Sequence, residues 1–147
     1  MSNSGRTKTA LVIVALVIVA GLVIFAGFRP AEPNLEYAPE GEFVVGFPEW
    51  LILDKESRPN SSYSVSYDEN LNQYTASFDS DQSMGDLATL YKNYFKDNGW
   101  QITSEVTQYE DSRGLYAIKD SQEASVAIIS QNEGTQVVVS YLVKQPL

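Results

Sequence analysis

Residues 83–100 read SMGDLATLYKNYFKDNGW and carry every sequence signal of one amphipathic helix. Ser83 stands in the N-cap position, and Asp86 follows three residues later as in a capping box. Asn98-Gly99 supplies a left-handed C-cap. Apolar residues in between recur at spacings of three and four, which places them on one stripe that packs on a sheet. The stripe contains Leu87, Leu90, Tyr91, Tyr94 and Phe95.

Alternating β-rich runs flank this helix on both sides. Tyr63 to Tyr67 and Tyr74 to Phe78 precede it and form a predicted hairpin around the turn residues 68–72. Four more runs follow it, and the loop 131–134 joins the last two. We therefore predict an α+β domain in the order β-β-α-β-β-β-β, an antiparallel sheet with one helix packed across it. The four later runs are 100–106, 115–118, 124–130 and 135–143.

The N-terminal region has a different character. Ala10 to Phe28 contains 19 residues without a charge, and as a helix they would cover about 28 Å, close to the hydrocarbon thickness of a bilayer. We predict a cytoplasmic tail over residues 1–8 and a transmembrane helix over residues 9–28 that binds the lipid bilayer. A cleaved signal peptide is the competing interpretation, but its apolar region usually spans about 7 to 15 residues and ends in a small-x-small site. We expect a retained anchor.

The charges around this run predict the orientation of the chain. Arg6 and Lys8 precede the run, whereas Arg29 is the sole basic residue after it until Lys55. The positive-inside rule then places the N-terminus in the cytoplasm and the C-terminal domain outside a cell membrane that the chain crosses once. Residues 29–42 contain three prolines and four glutamates, a composition typical of an extended stalk. The extracytoplasmic domain is expected over residues 43–147.

Composition restricts the chemistry of this domain. The chain has no cysteine and no histidine, so disulfides, a Ser-His-Asp or Cys-His centre and the usual zinc sites cannot form. From residue 30 onward there are 7 basic and 19 acidic residues, a net charge of −12, which disfavours nucleic acid as a partner. Asp79, Asp81 and Asp86 are assigned to turns and capping. We expect no metal site, no cofactor and no enzymatic activity, with a small hydrolase the weakest alternative.

The segment Phe43 to Leu53, FVVGFPEWLIL, is the most apolar part of the predicted domain. Its two halves predict a short strand and an extended stretch, separated by Gly46-Phe47-Pro48. The favoured interpretation is that the segment covers the core. The alternative is a wedge that touches lipid or a partner, formed by Phe47, Trp50, Leu51 and Ile52.

Two functions stay open at this point. The first is a non-enzymatic protein-interaction domain that binds another membrane or envelope protein, for example as an accessory subunit of a membrane complex. The second is a ligand-binding or sensory domain with a pocket between helix and sheet. A concave pocket would favour the second, and an exposed apolar face or edge strand would favour the first. The candidate binding residues are Phe47, Trp50, Tyr91, Tyr94 and Trp100.

Leu90 to Trp100 also carries a resemblance to known proteins. A helix that ends in Gly-Trp and leads directly into antiparallel strands resembles uncharacterised small bacterial envelope domains, which occur as lipoproteins or on single anchors. The resemblance covers residues 43–143 and implies a fold and a compartment, without catalytic residues. This chain lacks the lipoprotein cysteine, and the predicted transmembrane helix stands in its place.

Overall fold

A computed structural model describes residues 33–67 and 70–144. The predicted cytoplasmic tail and transmembrane helix lie outside the described residues. Within the described ranges, no helix has the length and apolar character needed to cross a bilayer.

One antiparallel sheet of seven strands and one α-helix make up the described residues, together with a short 3-10 helix. The spatial order of the strands is β1-β2-β3-β7-β6-β5-β4. Strand β3 therefore neighbours β7, and the helix lies in the connection between β3 and the far edge strand β4. The elements are β1 (Asn34–Tyr37), the 3-10 helix (Glu49–Leu51), β2 (Pro59–Ser66), β3 (Leu71–Ser80), α1 (Met84–Asp97), β4 (Gln101–Val106), β5 (Ser112–Lys119), β6 (Gln122–Ser130) and β7 (Thr135–Lys144).

The predicted fold class is confirmed for the domain, an α+β fold with one helix packed on an antiparallel sheet. Strand β1 is an addition to the predicted order, because it forms within the segment interpreted as a stalk. Its residues 34–37 pair in register with residues 63–66 of β2. Polar Asn34 and Glu36 alternate there with Leu35 and Tyr37, the period of a strand. The sheet thus begins nine residues before the predicted domain.

The apolar segment Phe43–Leu53, called here the cover segment, also differs from its prediction. It forms turns and the 3-10 helix rather than a strand. Gly46 has a positive φ of 89°, which turns the chain, and Pro48 lacks the amide N–H that a sheet ladder would need. The segment therefore folds back over the sheet as an irregular layer.

Helix α1 has the predicted caps at both ends. The Ser83 hydroxyl accepts a hydrogen bond from the Asp86 amide at 3.1 Å and donates one to the Asp86 carboxylate at 2.7 Å. At the C-terminus, the amide of Trp100 donates to the Phe95 carbonyl at 2.8 Å and that of Gly99 to the Lys96 carbonyl at 3.2 Å. Gly99 has a φ of 75°. Together these bonds form a Schellman motif, in which Trp100 is the residue whose side chain packs back on the helix.

One face of the sheet carries the core. Helix α1 packs on β4, β5 and β6, while the cover segment contacts β2, β3 and β7 through Val44, Gly46 and Trp50. Burial of each large apolar side chain contributes about 1.5–3 kcal/mol, so this face supplies most of the stability. Fully buried large side chains on it are Leu51, Phe78, Leu87, Tyr91, Phe95, Val126, Ile128, Val137 and Val139.

The opposite face of the sheet is more polar. Here the Tyr67 hydroxyl donates to the Gln73 side-chain oxygen at 2.8 Å, and the hydroxyls of Thr75 and Ser140 share a hydrogen bond of 2.9 Å. Gln73, Thr75 and Ser140 are buried, so these bonds satisfy polar groups that would otherwise be costly. Strand β1 continues this face at the edge of the sheet.

Candidate functional site

A groove of about 690 Å³ runs between the cover segment and the C-terminal half of helix α1. Its first wall comes from residues 43–57 and its second from residues 90–98. Most of its lining is apolar. Its lining side chains include Phe43, Glu49, Trp50, Lys55, Leu90, Tyr94 and Asp97.

Trp50 is a large aromatic side chain of the groove, and 47% of its surface is exposed. Three rings contact its indole. Its ring lies 5.7 Å from Tyr141 in an edge arrangement, 6.2 Å from Trp100 and 6.4 Å from Tyr94 in a stacked arrangement, measured between centroids. Each such aromatic pair contributes about 0.5–1.5 kcal/mol beyond the burial of its area. The indole is thus held in place while one side of it stays open to solvent.

Hydrogen bonds fix the cover segment at two points. The Tyr91 hydroxyl donates to the carbonyl of Leu51 at 2.9 Å, which joins the 3-10 helix to α1. The amide of Val44 donates to the buried Ser62 hydroxyl at 3.0 Å, which joins the start of the segment to β2. Because both partners are buried, these bonds determine the position of the first wall relative to the second.

Gly46 allows this wall to approach the sheet. A Cβ atom at this position would lie 3.0 Å from the ring of Tyr74, and the positive φ is itself unfavourable for other residues. On either side of the turn, Phe43 and Phe47 stack with a centroid distance of 5.0 Å. A larger residue at position 46 would therefore displace the first wall of the groove.

The charged side chains of the groove are mostly acidic. Glu49 lies on the first wall and Asp97 on the second, whereas Lys55 is the cation among the lining residues. Asp97 stands at the C-terminal end of α1, where the helix dipole adds partial negative charge. An apolar floor between two carboxylates favours an occupant that combines apolar surface with basic groups.

Several titratable groups among the described residues have pKa values shifted by burial or by hydrogen bonds. Burial raises the pKa of the Tyr91 phenol well above its ordinary value. Burial, followed by the hydrogen bond to Glu123, does the same for the pKa of Tyr116. The hydroxyl of Ser80 lowers the pKa of Asp54. Burial also raises the pKa of Tyr94, which lines the groove. A general acid or base functions best with a pKa near the working pH.

Among the described residues, no group of three or more carboxylates, histidines or cysteines has the geometry of a metal site. Asp86, one of the carboxylates assigned to capping, is the partner of Ser83 at the start of α1.

The five candidate binding residues are separated by the structure into two groups. Trp50 and Tyr94 line the groove. Phe47, Tyr91 and Trp100 are buried, with 7%, 0% and 6% of their surfaces exposed, so they belong to the core. For the ligand-binding alternative we expect Tyr91, Tyr94 and Trp100 to line the pocket between helix and sheet. The structure instead buries Tyr91 and Trp100, because the apolar stripe of α1 turns Tyr91 toward the sheet and the Schellman motif holds Trp100 against the last turn of the helix.

The wedge interpretation of the cover segment is corrected in the same way. Leu51 and Ile52 are buried with Phe47, and Trp50 alone of the four reaches solvent. A residue that the sequence placed in the core stripe, Leu90, is 36% exposed and lines the groove. Its position at the margin of the stripe was the available signal. Glu49 and Asp97 had no distinguishing pattern in the sequence.

The seven-stranded sheet, with its one described helix between β3 and β4, defines the class of this protein as a small α+β domain. A family model for START domain-like proteins matches residues 60–134, slightly more than half of the 147 residues. The chain belongs to the START domain-like family. No curated protein and no solved structure matches the chain.

The family match includes one wall of the groove and not the other. It begins in β2, includes all of α1 and ends before β7, so the helical wall lies within the family match and the cover segment lies before it. The expected small domain is thereby confirmed, and its assignment to the bacterial envelope stays a prediction.

Proposed function

We propose that this START domain-like protein is a membrane-tethered, non-enzymatic binding module whose groove docks another membrane or envelope protein. The exposed indole of Trp50 on its platform of three rings carries the proposal. Tryptophan is enriched among the residues that dominate binding energy at protein interfaces, where it fills a desolvated centre. An indole that is already fixed loses little conformational entropy when a partner covers it.

The occupant that fits the groove is an apolar segment flanked by basic side chains. Trp50, Leu90 and Tyr94 offer apolar surface on both walls. Glu49 and Asp97 lie on opposite walls, and the chain from residue 30 onward carries a net charge of −12. Such a surface accelerates encounter with a basic partner and repels an acidic one.

The membrane tether in this proposal is supported by the sequence. The uncharged run Ala10 to Phe28 has the length and composition of a bilayer-spanning helix. Its basic N-terminal flank favours an extracytoplasmic domain. A module held at the membrane surface meets membrane proteins at a high effective concentration, so a groove of modest size can support a specific complex.

A small apolar ligand is the second candidate, because the volume of the groove lies in the range of small-molecule sites, about 300–1,000 Å³. A partner protein and a small ligand differ in mass, so crosslinking can distinguish them.

Site-specific photo-crosslinking in native membranes tests the proposal. A photoreactive residue is placed at Leu90 or Asn93, both of which line the groove, and in a matched control at Thr89, which is exposed on the same helix but outside it. We expect a discrete polypeptide adduct from positions 90 and 93 and none from position 89. Trp50→Ser in the same chain should abolish the adduct.

Equal adducts from all three positions would contradict the proposal, since they would report random collision. A mass increase below that of any polypeptide at positions 90 and 93 would instead assign the groove to a small ligand. Val45→Ser is the control for the tryptophan change, because Val45 is 86% exposed and does not line the groove.

A further inference from the structure

Strand β1 carries two large side chains that are exposed and do not pack in the core of the domain. Leu35 and Tyr37 are 48% and 67% exposed, and all four residues of the strand are exposed. Neither belongs to the core cluster. They project from the same face of the sheet as their partners Val65 and Tyr63, and the ring of Tyr37 lies 5.6 Å from that of Tyr63. An edge strand with a leucine and a tyrosine on one side has the character of a contact surface.

The position of β1 in the chain limits what can cover this surface. The apolar run ends at Phe28 and β1 begins at Asn34, so only residues 29–33 connect them. A fully extended chain advances at most about 3.6 Å per residue, so five residues span at most about 18 Å. The predicted stalk of fourteen residues would have allowed more than twice that separation.

We infer that the β1 edge of the sheet, with Leu35 and Tyr37, lies in the interfacial region of the bilayer that anchors the chain. This inference rests on the proposed membrane tether. Tyrosine is enriched at the level of the lipid headgroups because its ring is apolar and its hydroxyl is polar. The short connection makes the contact intramolecular, so that even a weak preference for the interface keeps the edge there.

The charges near β1 define the kind of lipid surface. Glu32 and Glu36 accompany Arg29 in this part of the chain, which gives it no basic cluster to attract anionic headgroups. The contact should therefore be with zwitterionic lipid and depend on the apolar side chains.

The natural absence of cysteine makes the inference directly testable in the full chain. Single variants Leu35→Cys and Tyr37→Cys are labelled with an environment-sensitive fluorophore and reconstituted in phosphatidylcholine vesicles. Tyr109→Cys serves as the matched control, because Tyr109 is a tyrosine with 55% exposure at the opposite edge of the sheet, between β4 and β5. Vesicles that contain nitroxide-headgroup lipid then report proximity to the membrane surface by quenching.

We expect the labels at positions 35 and 37 to be quenched at least twofold more than the label at 109. A twenty-residue Gly/Ser insertion after Pro30 should reduce that difference. Equal quenching at 37 and 109 in protein that floats with the vesicles would overturn the inference while leaving the tether intact. Protein that does not float would overturn the tether itself. Label-to-label contact at position 37 in place of quenching would show that a second copy covers β1, which also overturns the inference. The groove is tested separately by its own crosslinks.

Discussion

Two halves of one aromatic cluster behave differently in this domain. In the buried half, Tyr91, Phe95 and Trp100 lie between α1 and the sheet. In the open half, Trp50 and Tyr94 lie at the groove. The two tryptophans are 6.2 Å apart, yet one is 6% exposed and the other 47%. Residue type therefore does not determine which of the two rings is buried, whereas the way each ring is attached to the backbone does.

The attachment differs in a definable way. Trp100 is the last residue of the Schellman motif, so its backbone amide and its side chain are both held against the last turn of α1. Trp50 lies in a three-residue 3-10 helix that is held by the neighbouring Leu51 carbonyl. The first ring supports the fold and the second rests on the first. Changes in the two halves should accordingly separate stability from binding.

The largest effect is expected for Trp100→Ala in the full chain solubilised in detergent. Truncation of a buried aromatic side chain costs about 3–5 kcal/mol, a large part of the 5–15 kcal/mol that stabilises a typical domain. The ring also contacts Phe95 and Trp50, at 5.6 and 6.2 Å, so the platform under the groove is lost as well. Thermal unfolding followed by circular dichroism measures this. A melting temperature within a few degrees of the unaltered protein would move Trp100 out of the core.

The next effect is expected in the pH dependence of stability, through Tyr91 in the buried half. The folded pKa of Tyr91 is raised by burial, so its stabilising contribution is complete below the unfolded pKa of about 10 and is lost as the pH rises above it. The slope from one such phenol is up to about 1.4 kcal/mol per pH unit. Denaturant titrations at pH 9 and 11 should show that slope, and Tyr91→Phe should remove its share of it.

Tyr91→Phe also removes the hydrogen bond to the Leu51 carbonyl, which should cost about 1–3 kcal/mol at neutral pH because a buried carbonyl is left unpaired. Tyr109→Phe is the control, since that side chain is 55% exposed. If Tyr91→Phe kept the slope of the unaltered protein between pH 9 and 11, the titration would belong to another phenol.

A smaller effect is expected at the junction between the two halves. Gly99→Ala places a β-carbon on a residue with a φ of 75°, at a position where no atom lies within 4 Å of it. The cost is therefore conformational, about 1–2 kcal/mol. Gly85→Ala is the matched control inside α1, where a Cβ would meet only the Ser83 hydroxyl at 4.0 Å, and it should stabilise by about 0.5–1 kcal/mol. Melting temperatures that shift in the same direction would contradict the C-cap assignment.

Much of this domain could be predicted because its signals are local. The capping residues Ser83 and Asp86, the Gly99 turn and the presence of the later strands each depend on neighbours within a few residues, and the structure confirms them. The predicted alternation of residues 100–106 is interrupted by a register shift between Ile102 and Ser104. The helix stripe likewise predicted burial correctly for Leu87, Tyr91 and Phe95.

The rest could not be predicted because it depends on distant partners. Four residues of β1 become a strand only through pairing with β2, about thirty positions later. The cover segment has the apolar composition of a strand, yet it is fixed by Tyr91 and Ser62 and forms a 3-10 helix. The hydrogen bonds to Tyr91 and Ser62 hold the cover segment so that Trp50 faces α1 across the groove. No periodicity within residues 43–53 predicts this position of Trp50.

A small effect on stability, and the sharpest test of the comparison, is expected for Trp50→Ala. Its ring is already 47% exposed, so its contacts with Tyr94, Trp100 and Tyr141 are partly solvated and their loss costs about 1.5 kcal/mol in total, the lower end of the range for three aromatic pairs. That corresponds to a decrease in melting temperature of roughly 6–12 °C for a small domain. The crosslink from position 90 to the partner should nevertheless disappear, because the central residue of the proposed interface is gone. Tyr109→Ala, a change of another exposed ring, should leave both unchanged. If Trp50→Ala unfolded the domain as Trp100→Ala does, Trp50 would belong to the structural core. That result would contradict the proposal that the groove is a binding site.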